Sequence, residues 1–202
     1  MNRGIWICIL SIAVSMCAGA SASAQYRESR DRTWRGGFEG RTMLRFHAGI
    51  SSPTGDFGTF VDTGWGLGAS LGYGVGRNTV LSWGIAYHRF GEEFADGHVG
   101  IMPVTMAVDY GFSSRSKVRP WISGGLGLYH LSEKTTEFFP PNTFVVTSES
   151  ENDFGFNFGF GIATPLSNRS AFGAGFKFHH VVGNEFPDTS FLTLQAGVAY
   201  PL

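Results

Sequence analysis

Residues 64–75 read Gly-Trp-Gly-Leu-Gly-Ala-Ser-Leu-Gly-Tyr-Gly-Val, and their alternation decides the fold. Large apolar residues such as Trp65, Leu67 and Leu71 stand at odd positions, whereas glycine or serine occupies every even position. A period of two places alternate side chains on opposite faces of a β-strand. The stretch therefore predicts a strand with one bulky apolar face and one face of very small residues.

Residues 154–162 repeat this alternation far along the chain. The apolar set is Phe154, Phe156, Phe158, Phe160 and Ile162, and the alternate set is Gly155, Asn157, Gly159 and Gly161. In a soluble β-sandwich the second face would be exposed to water, and glycine would have no advantage there over larger polar residues. In a lipid-embedded barrel the apolar face points outward, and the inner face must be small enough for the barrel to close.

Eight segments with strand character follow one another after residue 40. They span about 41–50, 64–75, 79–90, 98–110, 118–131, 152–164, 171–182 and 190–202. Each has roughly ten to fourteen residues, which suits a tilted strand that crosses a bilayer. Unpaired strand edges are not tolerated in hydrocarbon. The sequence therefore predicts an all-β fold, a closed antiparallel eight-stranded transmembrane β-barrel, in a monomer.

The connections between these segments alternate in length. Those after the second, fourth and sixth strands are short, at residues 76–78, 111–117 and 165–170, and the first and third of the others are longer. Short turns are typical of the periplasmic side and longer loops of the outside. In the fifth strand, Trp121 and Tyr129 fall on the face opposite Leu126 and Leu128, and a β-bulge at Gly124-Gly125 would switch that parity.

The N-terminus has the features of a secretory signal peptide. Arg3 precedes an apolar stretch from Ile5 to Val14, and Ala22-Ser23-Ala24 forms a small-residue cleavage site. We predict a cleaved signal peptide at 1–24, a flexible periplasmic segment outside the fold at 25–40, and the barrel at 41–202. Cys8 and Cys17 both lie in the leader, so no disulfide or thiolate chemistry is expected in the mature protein.

The composition favours a single membrane domain. The 202 residues include 29 glycines and 19 phenylalanines, and only 15% are charged, which is unusual for a soluble domain. The formal net charge of -1 argues against a nucleic-acid partner.

The segment from Arg41 to Leu202 resembles the small outer-membrane β-barrel family, the OmpA/OmpX-like proteins. Three stretches carry the resemblance: residues 53–57 (Pro-Thr-Gly-Asp-Phe), Arg119-Pro120-Trp121 ahead of Gly-Leu-Gly-Leu-Tyr, and the alternating last strand. The last strand departs from the family in one respect, because it ends in Pro201-Leu202 where the family usually has Phe or Trp. It implies a bacterial outer-membrane location, contact with outer-membrane lipids and lipopolysaccharide, and insertion by the barrel-assembly machinery. Such barrels serve many functions, so the fold does not settle the activity.

The histidines do not form a convincing catalytic or metal-binding motif. His179 and His180 are adjacent on a strand and point to opposite faces, so they cannot hold one ion from the same side. Lipid A deacylases, which are also small barrels, need a histidine followed two positions later by serine, but His179 is followed by Val181 and His180 by Val182. We therefore predict no enzyme activity, and no catalytic, cofactor-binding or metal-binding residues.

The alternation also predicts which side chains face the lumen. The polar inward set is Arg45, His47, His88, Asp109, Asn157, Lys177, His179 and Gln195. Buried charges need partners, so these residues should form a network that fills the barrel, with an ion pair between Arg45 and Asp109. A narrow pore is the alternative. The outward aromatic residues Tyr73, Trp83, Tyr110 and Tyr200 should form a girdle at the periplasmic interface.

Charge separates between the two ends of the predicted barrel. The short turns carry Arg77, Arg115, Lys117, Arg119 and Arg169, whereas the opposite loops carry Asp56, Asp62, Glu92, Glu93, Asp96, Glu133, Glu137, Glu149, Glu151, Glu185 and Asp188. We predict a structural or surface-interaction role through these acidic extracellular loops, with weakly bound divalent cations bridging them to lipopolysaccharide. A narrow porin-like channel is the alternative function.

Overall fold

The computed structural model describes residues 37–59, 61–91, 97–113, 116–139, 143–167, 169–183 and 189–202, without the side chains of 134–149. The strands are β1 (Thr42–Thr54), β2 (Gly64–Gly74), β3 (Thr79–Gly91), β4 (Gly97–Gly111), β5 (Arg119–Phe139), β6 (Thr143–Ser167), β7 (Ser170–Val182) and β8 (Thr189–Pro201). Each strand pairs antiparallel with the next, and β8 pairs with β1, which closes the barrel. The predicted fold class is confirmed. Among the described residues, no helix is long and apolar enough to cross a membrane.

The outward face of the strands is an exposed apolar band. Phe154 and Phe158 are each 53% exposed, and Leu67 on β2 is 52% exposed. Large apolar side chains at such exposure are unfavourable in water and suited to lipid tails. Tyr73, Tyr110 and Tyr200 are also exposed, at the end of the barrel that carries the short turns. Their placement agrees with the predicted aromatic girdle.

The glycines of the inward face make room for large side chains from neighbouring strands. A Cβ atom at Gly155 would lie 2.7 Å from the Tyr129 ring, and one at Gly161 would lie 2.7 Å from the Trp121 indole. A Cβ atom at Gly72 would lie 3.0 Å from the Arg45 guanidinium. The positions of the inward glycines therefore determine where the lumen has room for large side chains.

The β5–β6 hairpin is much longer than the sequence predicted. β5 has 21 residues and β6 has 25, and they stay paired from Arg119↔Ala163 to Phe139↔Thr143. The predicted long loop between these strands is therefore wrong, because residues 132–139 and 143–151 continue the two strands beyond the apolar band. In the described chain β5 stays paired with β4 up to Gly97↔Thr135, whereas pairing of β6 with β7 ends at Phe154↔Val182. The hairpin therefore extends past both neighbouring strands only from Thr136↔Val146 onward.

The bulge considered for the fifth strand is also absent from the described chain. The register of β5 runs unbroken through Gly124 and Gly125 against both neighbours, so no bulge switches its parity there. An irregularity occurs instead on β6, between Pro165 and Ser167, next to the turn into β7. Proline has no N–H group, so it cannot donate a hydrogen bond to the neighbouring strand there.

The N-terminal segment joins the barrel through its last residues. The Phe38 N–H donates to the Arg77 carbonyl at 3.0 Å, and the Gly40 N–H donates to the Gly74 carbonyl at 2.8 Å. Residues 37–40 are therefore part of the fold, contrary to expectation. The predicted signal peptide at 1–24, and residues 25–36, lie outside the described residues.

Candidate functional site in the barrel lumen

An apolar cluster closes the extracellular half of the lumen. Phe90, Ile101, Tyr129, Val181 and Phe191 are at most 1% exposed. The Phe90 ring lies 5.4 Å from the Phe191 ring in an edge-to-face contact. These inward residues from β3, β4, β5, β7 and β8 meet across the barrel, so apolar side chains fill the lumen at this level in the described part of the chain.

The first extracellular loop folds inward and completes this cluster. Its 3-10 helix (Gly55–Thr59) brings Phe57 to 5.4 Å from Phe90, again edge to face. Val61 is also buried in the same cluster, at 4% exposure. The loop sequence looks polar, yet two of its apolar residues seal the barrel.

A layer of histidines lies beneath the cluster. His88 Nδ1 is 2.8 Å from the Ser51 hydroxyl oxygen, and that oxygen is 3.0 Å from the Thr193 hydroxyl oxygen. His179 Nδ1 is 3.0 Å from the Tyr129 hydroxyl oxygen, and the His179 ring stacks on Phe191 at 4.5 Å. The two imidazoles are thus held by hydroxyls and aromatic rings, as parts of a packed interior.

The histidine pair that the sequence singled out is divided between two environments. His179 is buried in the lumen, whereas His180 is on the outward face, 2.7 Å from Ser190 Oγ and in contact with the Phe156 ring. Within the described ranges, no three His, Cys, Asp or Glu side chains are grouped so that they could hold a metal ion.

A charged layer lies closer to the periplasmic end. The predicted ion pair is confirmed, since Arg45 Nη2 donates to Asp109 Oδ2 at 2.5 Å across the lumen from β1 to β4. Lys177 on β7 has Asp109 and Arg45 as its electrostatic neighbours. The full polar set that the alternation placed inward lies inside the barrel, although it forms separate layers and not one network.

A cavity of about 220 Å³ occupies the periplasmic half of the lumen. Its walls include Arg45, Asp109, Lys177 and Gln195, and it extends from the histidine layer to Ala199 at the turn end of the barrel. Sequence reasoning placed the polar side chains here but did not predict this space, because the volume depends on how the bulky residues share the interior.

The outward face changes character at the extracellular edge of the apolar band. Arg89, His98, His130 and His180 share the outward face of their strands, as their cross-strand partners show. His130 Nδ1 is 2.9 Å from the Asn152 side-chain oxygen. We call these four residues the outer basic belt. The sequence signal was present, since each occupies an outward position at the top of its strand.

The predicted acidic loops are only partly loops. Glu133 and Glu151 lie on β5 and β6, at positions that continue the inward face of the barrel. Glu137 and Glu149 belong to the same two strands, without described side chains. Asp56 and Asp62 are exposed in the first loop. The remaining predicted acidic residues, Glu92, Glu93, Asp96, Glu185 and Asp188, lie outside the described residues.

Three solved structures share this architecture. Neisserial surface protein A is 15% identical at a TM-score of 0.61, with 79% of this chain and 96% of that chain covered. Ail, the attachment invasion locus protein of Yersinia pestis, is 18% identical at 0.57, with 81% and 99% covered. A major outer membrane protein from Thermus thermophilus is 15% identical at 0.58, with 80% and 99% covered. At these identities the likeness shows the fold alone.

The family assignment comes from the sequence. The model of the outer membrane protein beta-barrel domain family matches residues 10–201, which is nearly the whole chain. No curated protein matches the chain significantly. The chain therefore belongs to the outer membrane protein beta-barrel domain family and is a closed eight-stranded barrel of the bacterial outer membrane.

Proposed function

We propose that this protein is a monomeric, non-conducting and non-enzymatic barrel that acts at the cell surface through its extracellular end. The apolar cluster in the upper lumen carries the proposal, because ions and hydrophilic solutes need polar groups or water along their whole path. Eight strands enclose only enough room for side chains, and here aromatic rings from several strands fill that room. A narrow channel would have to displace them.

The β5–β6 hairpin supports the surface role. Past the end of its pairing with β4, from Thr136↔Val146 to Phe139↔Thr143, it extends about 10 Å along the strands as a two-stranded ribbon in the described chain. A paired ribbon that emerges above the apolar band offers main-chain and side-chain groups to a partner outside the cell. Ail, with a similar fold, has been solved in complex with the heparin analogue sucrose octasulfate. The hairpin of this chain carries Glu133, Glu137, Glu149 and Glu151, so a polyanion would bind it only through bridging divalent cations.

The outer basic belt supports direct contact with lipopolysaccharide. Arg89 is exposed on the outward face, paired across strands with Trp65 of the apolar band. A cation at this height meets the phosphates of the outer leaflet, where charge-assisted hydrogen bonds form readily. The belt binds these phosphates directly, whereas the acidic residues at the hairpin and loops would reach them through divalent cations.

Single-channel recording of the refolded protein tests the main proposal. Wild type should stay silent, and the double variant Phe90→Ala with Phe191→Ala should show discrete conductance, because it removes two rings that close the lumen. A Phe158→Ala variant, altered on the lipid face, is the matched control and should stay silent. Steady conductance in the wild type would contradict the proposal.

The lipopolysaccharide contact has its own test. The unfolding temperature of wild type should be higher in bilayers containing lipopolysaccharide than in phospholipid alone, and Arg89→Gln should reduce that difference. Arg77→Gln, at an exposed periplasmic turn, is the control and should leave the difference unchanged. If Arg89→Gln and Arg77→Gln reduce this difference in unfolding temperature equally, the outer basic belt makes no specific contact with lipopolysaccharide.

A further inference from the structure

The periplasmic cavity has an excess of positive charge. Arg45, Lys177 and, near the mouth, Arg119 line it, whereas Asp109 is the one carboxylate among its described lining residues. Asp109 is already engaged by Arg45. Asp153, the next acidic side chain inside the barrel, pairs across strands with Tyr129 and therefore belongs to the extracellular half. The cavity thus has more cations than it can neutralise with its own side chains.

The two inner cations, Arg45 and Lys177, also have N–H groups without a hydrogen-bond acceptor in the described chain. Arg45 Nε is buried without a hydrogen-bond partner in the described chain. Lys177 has no hydrogen bond and no ion pair within 4 Å among the described residues, and Asp109, the acid that interacts with it electrostatically, is already engaged by Arg45. Its cross-strand neighbours are Gly159 and Thr193, so small residues flank it and leave space beside the ammonium group. Burying charge without a partner is costly, which favours an anion that accepts from these donors.

We propose that the cavity binds a small oxyanion, of the sulfate or phosphate type, between Lys177 and Arg45. A volume of about 220 Å³ exceeds the size of such an ion and leaves room for bridging waters. Tetrahedral oxyanions accept several hydrogen bonds at once, so one ion can accept from the Lys177 ammonium and from the accessible part of the Arg45 guanidinium, whose side chain is 30% exposed. The apolar cluster blocks the extracellular side, so the ligand comes from the periplasm and is held there.

The site stabilises the folded barrel when it is occupied, because a ligand that binds only the folded state raises its stability by mass action. Thermal unfolding of the refolded mature protein in zwitterionic micelles is the test, with sodium sulfate up to about 20 mM. Sodium chloride at equal ionic strength corrects for screening. Wild type should show a saturable rise of a few degrees in unfolding temperature with sulfate, and inorganic phosphate should reproduce it.

Variants separate this site from general salt effects. Lys177→Met should abolish the rise and Lys177→Arg should retain it. Lys117→Met, in an exposed turn, is the matched control and should behave as wild type. Gly173→Phe adds a ring at a residue that lines the cavity and keeps both cations; a Cβ there has its nearest atoms at 3.5 and 3.9 Å, and the variant should also abolish the rise.

Equilibrium dialysis of radioactive sulfate against the wild type measures binding without any variant. One ion per barrel, displaced by phosphate, is the expected result. The proposal fails if the wild type binds no sulfate at 20 mM, or if Lys177→Met and Gly173→Phe both keep the full rise in unfolding temperature. Whether sulfate binds does not depend on whether the barrel conducts ions, since a non-conducting barrel is compatible with binding and with no binding. A failure of this proposal can therefore be told apart from a failure of the proposed function.

Discussion

The two halves of the lumen share one strand alternation but differ in the residues that face inward. Toward the loops, Phe90, Tyr129 and Phe191 meet across the barrel and are fully buried. Toward the turns, Arg45 and Lys177 border a cavity of about 220 Å³. An eight-stranded barrel is just wide enough for side chains, so inward aromatic rings fill it and short residues leave space. The same wall thus forms a seal at one end and a polar pocket at the other.

The seal should contribute more to stability than the polar half. Phe191→Ala should lower the free energy of unfolding by about 3–5 kcal/mol, because it removes a buried ring and leaves a cavity. Phe158→Ala, on the lipid face, should cost about 1 kcal/mol, since lipid tails refill the space. Equilibrium unfolding in urea compares them. Equal losses would show that the upper lumen is loosely packed.

The ion pair is the strongest interaction expected in the polar half. Asp109→Asn should destabilise the barrel by about 2–3 kcal/mol, below the range for fully dry pairs because the cavity partly solvates Arg45. The double variant Asp109→Asn with Arg45→Met should lose less than the sum of the single losses. Strict additivity would show that the two side chains do not stabilise each other.

The glycine face can be tested where Trp121 covers it. Gly161→Ala should destabilise by about 1–3 kcal/mol, because the added methyl group would clash with the Ala174 carbonyl oxygen and would lie 2.7 Å from the Trp121 indole. Combining it with Trp121→Leu should reduce that cost. If Gly161→Ala lowers the stability of the wild type and of the Trp121→Leu variant equally, glycine is required there by the neighbouring backbone and not by the indole.

The acidic extracellular end should give the smallest effect. Millimolar calcium should stabilise wild type by under about 1 kcal/mol, since exposed ionic contacts are weak. A variant with Glu92, Glu93, Glu149 and Glu151 changed to Gln should respond less in thermal unfolding with lipopolysaccharide. Identical responses would leave the acidic residues as solvated surface.

The barrel and its inward polar residues could be predicted because lipid imposes a pattern on the sequence. Within the bilayer every second residue must be apolar, so the alternation sets the face of Arg45, Asp109 and Lys177 alike. Once both Arg45 and Asp109 face a narrow lumen, their pairing follows from the cost of isolated buried charge.

The β5–β6 hairpin and the cavity escaped prediction for opposite reasons. Residues 131–139 and 143–151 lie beyond the apolar band, so their strand pairing is not accompanied by apolar alternation. Only β-branched runs such as Thr135-Thr136 and Val145-Val146-Thr147 carried a signal. The cavity depends on three-dimensional packing, which includes the position of the Trp121 side chain in its wall. A one-dimensional pattern contains no information on that volume.

Cysteine accessibility most directly tests the claim that the lumen is sealed above and open below. Gln195→Cys borders the cavity, whereas Ile101→Cys lies within the apolar cluster, where the wild-type side chain is fully buried. Each variant, in the mature protein refolded in detergent, is treated with a small, negatively charged methanethiosulfonate reagent. Gln195→Cys should be modified within minutes, and Ile101→Cys should stay unmodified until the barrel is unfolded. Modification of both at similar rates would contradict it.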